Sequence, residues 1–325
     1  MRVCGTCPSK AKAKRGFVLI VLILIKKIIS LFLMMLLGVL LVKTKICKAE
    51  DSKVLSALSI YLIMPCMILS AFQISYSEKI RNGLLLAFFA AVVIHVFLIL
   101  FTSLLSRGLH LDAVEQASVI YSNAGNLVIP LVTAMLGKDW VIYSSAFVSV
   151  QLFLLWSHGK ALICGEKKPD LKKILTNVNM IAILVGILFF IFQVHLPDAV
   201  NDAVDSIGSM IAPIAMLITG MLIAGTSFRR LLSYKKIWLV TALRLFAVPL
   251  LVLLFLKYSG IASLAENGKR ILLVTLLATI TPSASTITQM AQVYGKDADY
   301  AGAINVVTTL LCMVTMPLMV ALYQM

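Results

Sequence analysis

Ten apolar stretches, each long enough to cross a bilayer, follow one another along this 325-residue chain with short polar connections between them. A hydrocarbon core of about 30 Å needs about 20 apolar residues in a helix. The stretches fall at roughly 17–42, 54–74, 83–105, 114–136, 140–161, 177–195, 203–225, 237–256, 271–293 and 299–323. Lys26 and Lys27 confine the membrane core of the first to about 28–42. Lipid offers no partner to an open backbone, so runs of this length must close their hydrogen bonds as helices. The expected class is therefore an all-α polytopic membrane protein with ten transmembrane helices. Composition matters here for what it excludes. With 61% hydrophobic and 13% charged residues, against about half and about a quarter in soluble chains, no sizeable soluble domain fits.

Lys and Arg number 29 against 14 Asp and Glu. They lie between the apolar runs, and no basic stripe is interleaved with stacking aromatics, so nucleic acid is excluded as a partner. Their role is to set orientation and to meet anionic lipid of the bilayer. Connections after the odd-numbered spans carry 15 Lys and Arg, Lys160 included, and those after the even-numbered spans carry 6. The first set is expected in the cytoplasm of a plasma-membrane protein, with both termini outside. Residues 1–16 form a basic N-terminal tail whose five cationic residues run against that balance. They read as the start of an uncleaved first span, or as a start placed too early.

The chain repeats itself. Gly38 and Pro65 are 27 residues apart, as are Gly186 and Pro213, and the pairs are offset by 148. Gly137-Lys138-Asp139 recurs as Gly295-Lys296-Asp297, offset by 158. The expected organisation is a first repeat over 17–161, a basic cytoplasmic loop over 162–176 and a second repeat over 177–325. Each repeat has an odd number of spans, so the second copy is inverted in the membrane, as in secondary transporters.

The fourth and ninth spans are polar at mid-membrane. One holds Tyr-Ser-Asn-Ala-Gly-Asn at 121–126 and then Pro130; the other holds Thr-Ile-Thr-Pro-Ser-Ala-Ser-Thr at 279–286. Proline removes a backbone donor, and a polar segment at that depth must be satisfied by protein or water. Two such breaks in two inverted repeats predict interrupted helices that cross near the midplane. Their half-helix N-termini suit a carboxylate or another small anion. The plainer alternative is a proline kink with Ser, Thr and Asn bonding back to carbonyls. The substrate-binding candidates are Ser122, Asn123, Asn126, Ser283, Ser285, Thr286 and Gln289, with Pro130 and Pro282 as crossover or hinge residues. Gln151 and Asn305 are weaker candidates, with interhelical bonding as the alternative.

These segments resemble the auxin efflux carrier family, whose plant members are the PIN-type carriers. The resemblance rests on Gly-Val-Leu-Leu at 38–41, KVLSALSIYLIMP at 53–65, SNAGNLVIPLVTAMLG at 122–137 and TPSASTITQMAQVYGKDADYAG at 281–302. It implies two inverted five-helix repeats, crossover helices four and nine, a scaffold and a transport domain, and elevator-type alternating access. Bacterial relatives include malate and malonate permeases, so a malate- or malonate-like organic anion is the implied substrate. In this resemblance Asn123 and Asn126 match the Asn-containing stretch, Pro130 the first crossover proline and Pro282 the second. The long cytoplasmic loop of plant members is replaced by a short basic stretch, so its regulation does not transfer, and auxin itself is not supported as the substrate.

Other polar residues have bland readings. Arg244 is expected to snorkel to the cytoplasmic face, His95 to be packed and neutral, and Glu115, Asp202 and Asp205 to lie near interfaces. With no midplane carboxylate pair, a proton cycle on paired acids has no support. The candidate coupling ions are H⁺ and Na⁺, and the candidate protein partner is a second copy of the chain in a homodimer. The four His are isolated, and Cys4-Gly-Thr-Cys7 lacks a second ligand pair, so no metal or cofactor is expected. GxSxG and HExxH are absent, which argues against an enzyme. The expected function is a secondary transporter, permease or efflux carrier, of a small organic anion. The rivals are a non-transporting sensor or assembly subunit and a channel of the same fold.

Overall fold

The computed structural model describes residues 26, 29–165, 172, 176, 178–225 and 234–325. The basic tail over 1–16 and most of the 162–176 loop lie outside them. Among the described residues, six helices are long and apolar enough to cross a membrane. They are α2 (Ala49–Ala71), α3 (Glu78–Leu109), α6 (Val141–Cys164), α8 (Asp198–Gly225), α9 (Ile237–Tyr258) and α12 (Ala298–Gln324). Two shorter apolar helices are α1 (Ile29–Lys43) and α7 (Val178–Phe192). The fourth and ninth expected spans are each split, into α4 (Ala113–Ile120) with α5 (Ala124–Leu136), and α10 (Gly268–Thr279) with α11 (Ser285–Val293). Among the described residues there is no strand, only one isolated bridge.

The surface of α3 explains what surrounds the fold. Its buried stripe runs through Leu86, Ala90, Ile94 and Leu98; its exposed stripe runs through Leu85, Phe89, Val96, Leu100 and Leu104. Both faces are apolar at helical spacing, which suits a helix whose outer solvent is hydrocarbon. On and beside this stripe the buried Gly83, Ala87, Ala90 and Ala91 let α3 pack closely on α6 and α10.

Proline shapes several helices locally. A π turn over Ser59–Ile63 precedes Pro65 in α2, and another over Leu243–Ala247 precedes Pro249 in α9. Each proline lacks an N–H and its ring would collide with the carbonyl four residues back; widening the preceding turn relieves both. Glycine serves a different need between helices. A Cβ on Gly220 of α8 would overlap the Met35 carbonyl of α1, and one on Gly38 of α1 would overlap the Leu217 carbonyl of α8. Gly186 of α7 faces the Phe72 ring just past α2. The repeated glycines therefore meet the second helix of the opposite half.

Two groups of helices result. In one, α2 packs on α7 and α8, with α1 seated on α8 through Leu31, Met35, Ala212 and Met216. In the other, α3, α5, α6, α9 and α12 surround α10, and α11 lies on α12. The groups meet where α8 touches α5 and α12, and where α6 touches α2 and α7.

Candidate functional site

The two helix breaks lie against each other. Ser122 and Ser283 form an antiparallel bridge. Asn123 N donates to the Pro282 carbonyl at 2.8 Å, and Ala284 N donates to the Tyr121 carbonyl at 3.0 Å. Each break thus supplies the backbone partners that the other lost, which is how irregular chain survives in a buried place. Pro282 ends α10, because the residue before a proline is driven out of helical geometry. The first break has no proline. Pro130 sits in the second turn of α5 instead of at the interruption, and the bonds to the second break hold that segment open.

An amide from the next helix clamps each bridging serine. Gln151 of α6 accepts from Ser122 N at 3.0 Å and from Ser122 Oγ at 2.6 Å, and its Nε2 donates to the Ser122 carbonyl at 2.8 Å. Asn305 of α12 donates to the Ser283 carbonyl at 2.6 Å, and Thr308 Oγ1 accepts from Ser283 N at 3.2 Å. Both amides therefore act here as interhelical bonds, the alternative that their positions allowed. Tyr121 completes the first clamp. Its hydroxyl meets the Leu154 carbonyl at 2.9 Å and His158 Nδ1 at 2.8 Å. The ring lies on Gly159, where any Cβ would collide with it.

Around the bridge, Ser122, Asn123, Ser283 and Ser285 come together. Asn123 is 4% exposed, yet among the described residues its Nδ2 has no hydrogen-bond partner, and neither does Ser283 Oγ. Ser285 Oγ approaches Asn123 Oδ1 at 3.5 Å. Thr286 and Gln289 are buried in the first turns of α11. Asn126 lies in the first turn of α5. A Cβ built on Gly125 in that same turn would meet nothing within 4 Å, so space opens beside the start of α5. The first N–H groups of α5 and α11 have no partner within their own helices, and both starts carry positive partial charge. Matched glycines at positive φ, Gly137 at 103° and Gly295 at 66°, end these two half-helices.

Arg244 overturns its expectation. It does not snorkel; it is wholly enclosed. Its Nη1 donates to the Val119 carbonyl at 2.9 Å, Nη2 to the Thr279 and Thr281 carbonyls at 2.6 and 2.9 Å, and Nε to Thr281 at 3.1 Å. Exit to the interface would leave these helix-end carbonyls bare, and each charge-assisted bond is worth about 1.5–3 kcal/mol. Those bonds offset the roughly 2.5–3.5 kcal/mol that a centred Arg costs on insertion scales. Nothing in the local sequence, LVTALRLFAVP, distinguishes this Arg from a snorkelling one.

Glu115 begins α4 and is 2% exposed. It caps the helix reciprocally with Asp112, accepts from Tyr300 Oη at 2.8 Å and pairs with Lys236 at 3.6 Å. Three connections are tied together there. Asp112 is held above the usual carboxylate range by partial burial, with the Glu115 charge adding to it. Asp202 and Asp205 are exposed. His95 is buried, its Nδ1–H donating to the Ala91 carbonyl at 2.8 Å, with its ring 4.7 Å from Phe147. A cleft of about 200 Å³ between α2, α8, α11 and α12 is lined by Glu50, Lys53, Gln292, Asp299 and Val306. Val306 of its lining is next in sequence to Asn305, which clamps the second break. Among the described residues no cluster of three or more His, Cys, Asp or Glu is arranged for a metal.

Comparison with known proteins identifies a family. A family model described as membrane transport protein matches residues 23–320. No curated protein matches the chain. The match takes in both broken spans and the helices that clamp them, and its members are transporters rather than enzymes. This multi-pass, helical chain therefore belongs to the membrane transport protein family, that of the auxin efflux carriers whose motifs it carries.

Proposed function

We propose that the chain is a secondary transporter of a small organic anion, with a carboxylate held at the two helix breaks. The observation that carries this reading is the meeting of two half-helix starts beside buried donors, Asn123 Nδ2 and Ser283 Oγ, that have no partner among the described residues. An unpaired buried donor costs about 1–3 kcal/mol. A carboxylate would relieve that cost and gain the field of both helix starts. The space beside Gly125 leaves room for it.

In this reading the ten spans are two inverted five-helix repeats. The recurrent glycines, the matched positive-φ ends of α5 and α11 and the paired breaks support it. Alternating access would move the group of α3 to α6 and α9 to α12 against α1, α2, α7 and α8. The half-polar cleft at that boundary would serve as a route, and under the positive-inside rule it would open on the cytoplasmic face of the cell membrane, with both termini outside. An inside-negative potential favours anion exit by about 2.3 kcal/mol per charge per 100 mV, so export needs no coupling ion and uptake does.

The test is uptake of radiolabelled malate, malonate and indole-3-acetate into liposomes holding the purified protein, with empty liposomes and Asn123→Ala and Ser283→Ala variants beside it. Saturable uptake of one anion, with KM raised in both variants, is the expected result. Folded protein that moves none of the three would remove the carboxylate reading. Ion-like conductance without saturation would favour a channel.

A further inference from the structure

The crossing of two broken helices creates four helix ends, and only two of them suit an anion. The starts of α5 and α11 are positive; the ends of α4 and α10 are negative, each by about half an elementary charge. Left alone, the four ends nearly cancel, and an anion placed among them gains little. Arg244 addresses only the negative pair. Val119 lies in the last turn of α4, Thr279 is the last residue of α10 and Thr281 follows it. The guanidinium donates to all three carbonyls and, among the described residues, forms no ion pair. The π turn over Leu243–Ala247 that precedes Pro249 carries it, and such turns are frequent at functional sites.

We propose that Arg244 is the fixed counter-charge of the crossing. It is a positioning residue that neutralises the ends of α4 and α10 and joins the two breaks through one planar fork. The starts of α5 and α11 are then left as an uncompensated positive field. Secondary transporters use such helix-end carbonyls to bind a coupling cation; here a tethered cation takes them. The inference rests on the anion-site reading for its transport consequence, but the cation nest itself is tested without any substrate.

Three variants serve: Arg244→Lys, Arg244→Met and Arg244→Ala. The first readout is thermal unfolding of purified protein in detergent, with millimolar guanidinium chloride against choline chloride. Arg244→Ala is expected to regain its melting temperature with guanidinium, while the wild type does not move. Equal effects on both proteins would overturn the nest. The second readout is liposome transport of whichever anion the wild type carries. Arg244→Met is expected to raise KM about tenfold or more, and Arg244→Lys to stay within about threefold, since a helix-end charge in a buried place carries an effect of that size. An unchanged KM in Arg244→Met would overturn the counter-charge. Should neither neutral variant fold, Arg244→Lys decides: folded protein with near-native KM supports the charge, and failure to fold overturns it in favour of shape. If the wild type carries no anion tested, guanidinium rescue still judges Arg244, and the failure falls on the anion reading alone.

Discussion

Replacing Gln151 with Met keeps the volume of the side chain and deletes its amide. The wild-type amide makes three bonds to Ser122, two of them to backbone atoms. Ser122 is 2% exposed, so its N–H and C=O lose their partners with little access to water. An orphaned buried polar group costs about 1–3 kcal/mol. Relaxation of the break recovers part of this, as the average of about 0.6 kcal/mol for interhelical bonds in membranes indicates. For two groups the expected loss is about 2–4 kcal/mol. At this chain length that is a fall in Tm of about 4–8 °C, at about 2 °C per kcal/mol. Ser122→Ala is the control. It removes only the hydroxyl bond, about 1 kcal/mol, and leaves both backbone partners in place. Unfolding in detergent can be followed with a thiol-reactive fluorophore, because Cys312 is 3% exposed and reacts when the bundle opens. If Gln151→Met melts no lower than Ser122→Ala, the backbone clamp contributes nothing and the account of the break is wrong.

Three further outcomes follow from the same structure. Asn305→Leu, which orphans the Ser283 carbonyl in the second break, is expected to lower stability by about 1–3 kcal/mol, read by the same melt; no change would show that the two breaks are held differently. Gly220→Ala is expected to lower Tm sharply or prevent folding, because its methyl would overlap the Met35 carbonyl, whereas Gly108→Ala, with nothing within 4 Å, is expected to be neutral by size-exclusion profile and melt. Asp112→Asn tests the pH response. A carboxyl whose folded pKa is raised above 3.8 favours the folded state when protonated, so its contribution falls as pH climbs from about 3.8 through the raised value. Asparagine keeps an acceptor for the cap and removes that fall; melts across this range that slope equally in both proteins would refute the assignment.

Helical class and span positions were legible because hydrophobic length is a local property. The expected boundaries of α9 and α12 differ from those found by one or two residues. The polar character of the fourth and ninth spans was also local, and it pointed to Ser122, Asn123, Ser283 and Ser285, which the structure brings together. Pro130 misled, since a proline marks where a donor is missing but does not say where the helix opens. Pro282 does stand at an interruption, just past the end of α10, whereas Pro130 lies inside α5.

Sequence by itself determined that this chain lives in a bilayer, that it carries a basic connection after every odd-numbered span, and that two of its spans are interrupted. Apolar length, charge and small polar residues act on their own neighbourhood, and that neighbourhood is written in order along the chain. Only the tertiary structure decided which groups answer the interruptions. The bridge between Ser122 and Ser283, the clamps from Gln151 and Asn305 and the burial of Arg244 all join segments far apart in sequence. Arg244 shows the reason most directly. An arginine in an apolar run has two ways to satisfy its charge, by reaching water or by finding carbonyls, and the choice rests on two helix ends that other segments of the chain supply.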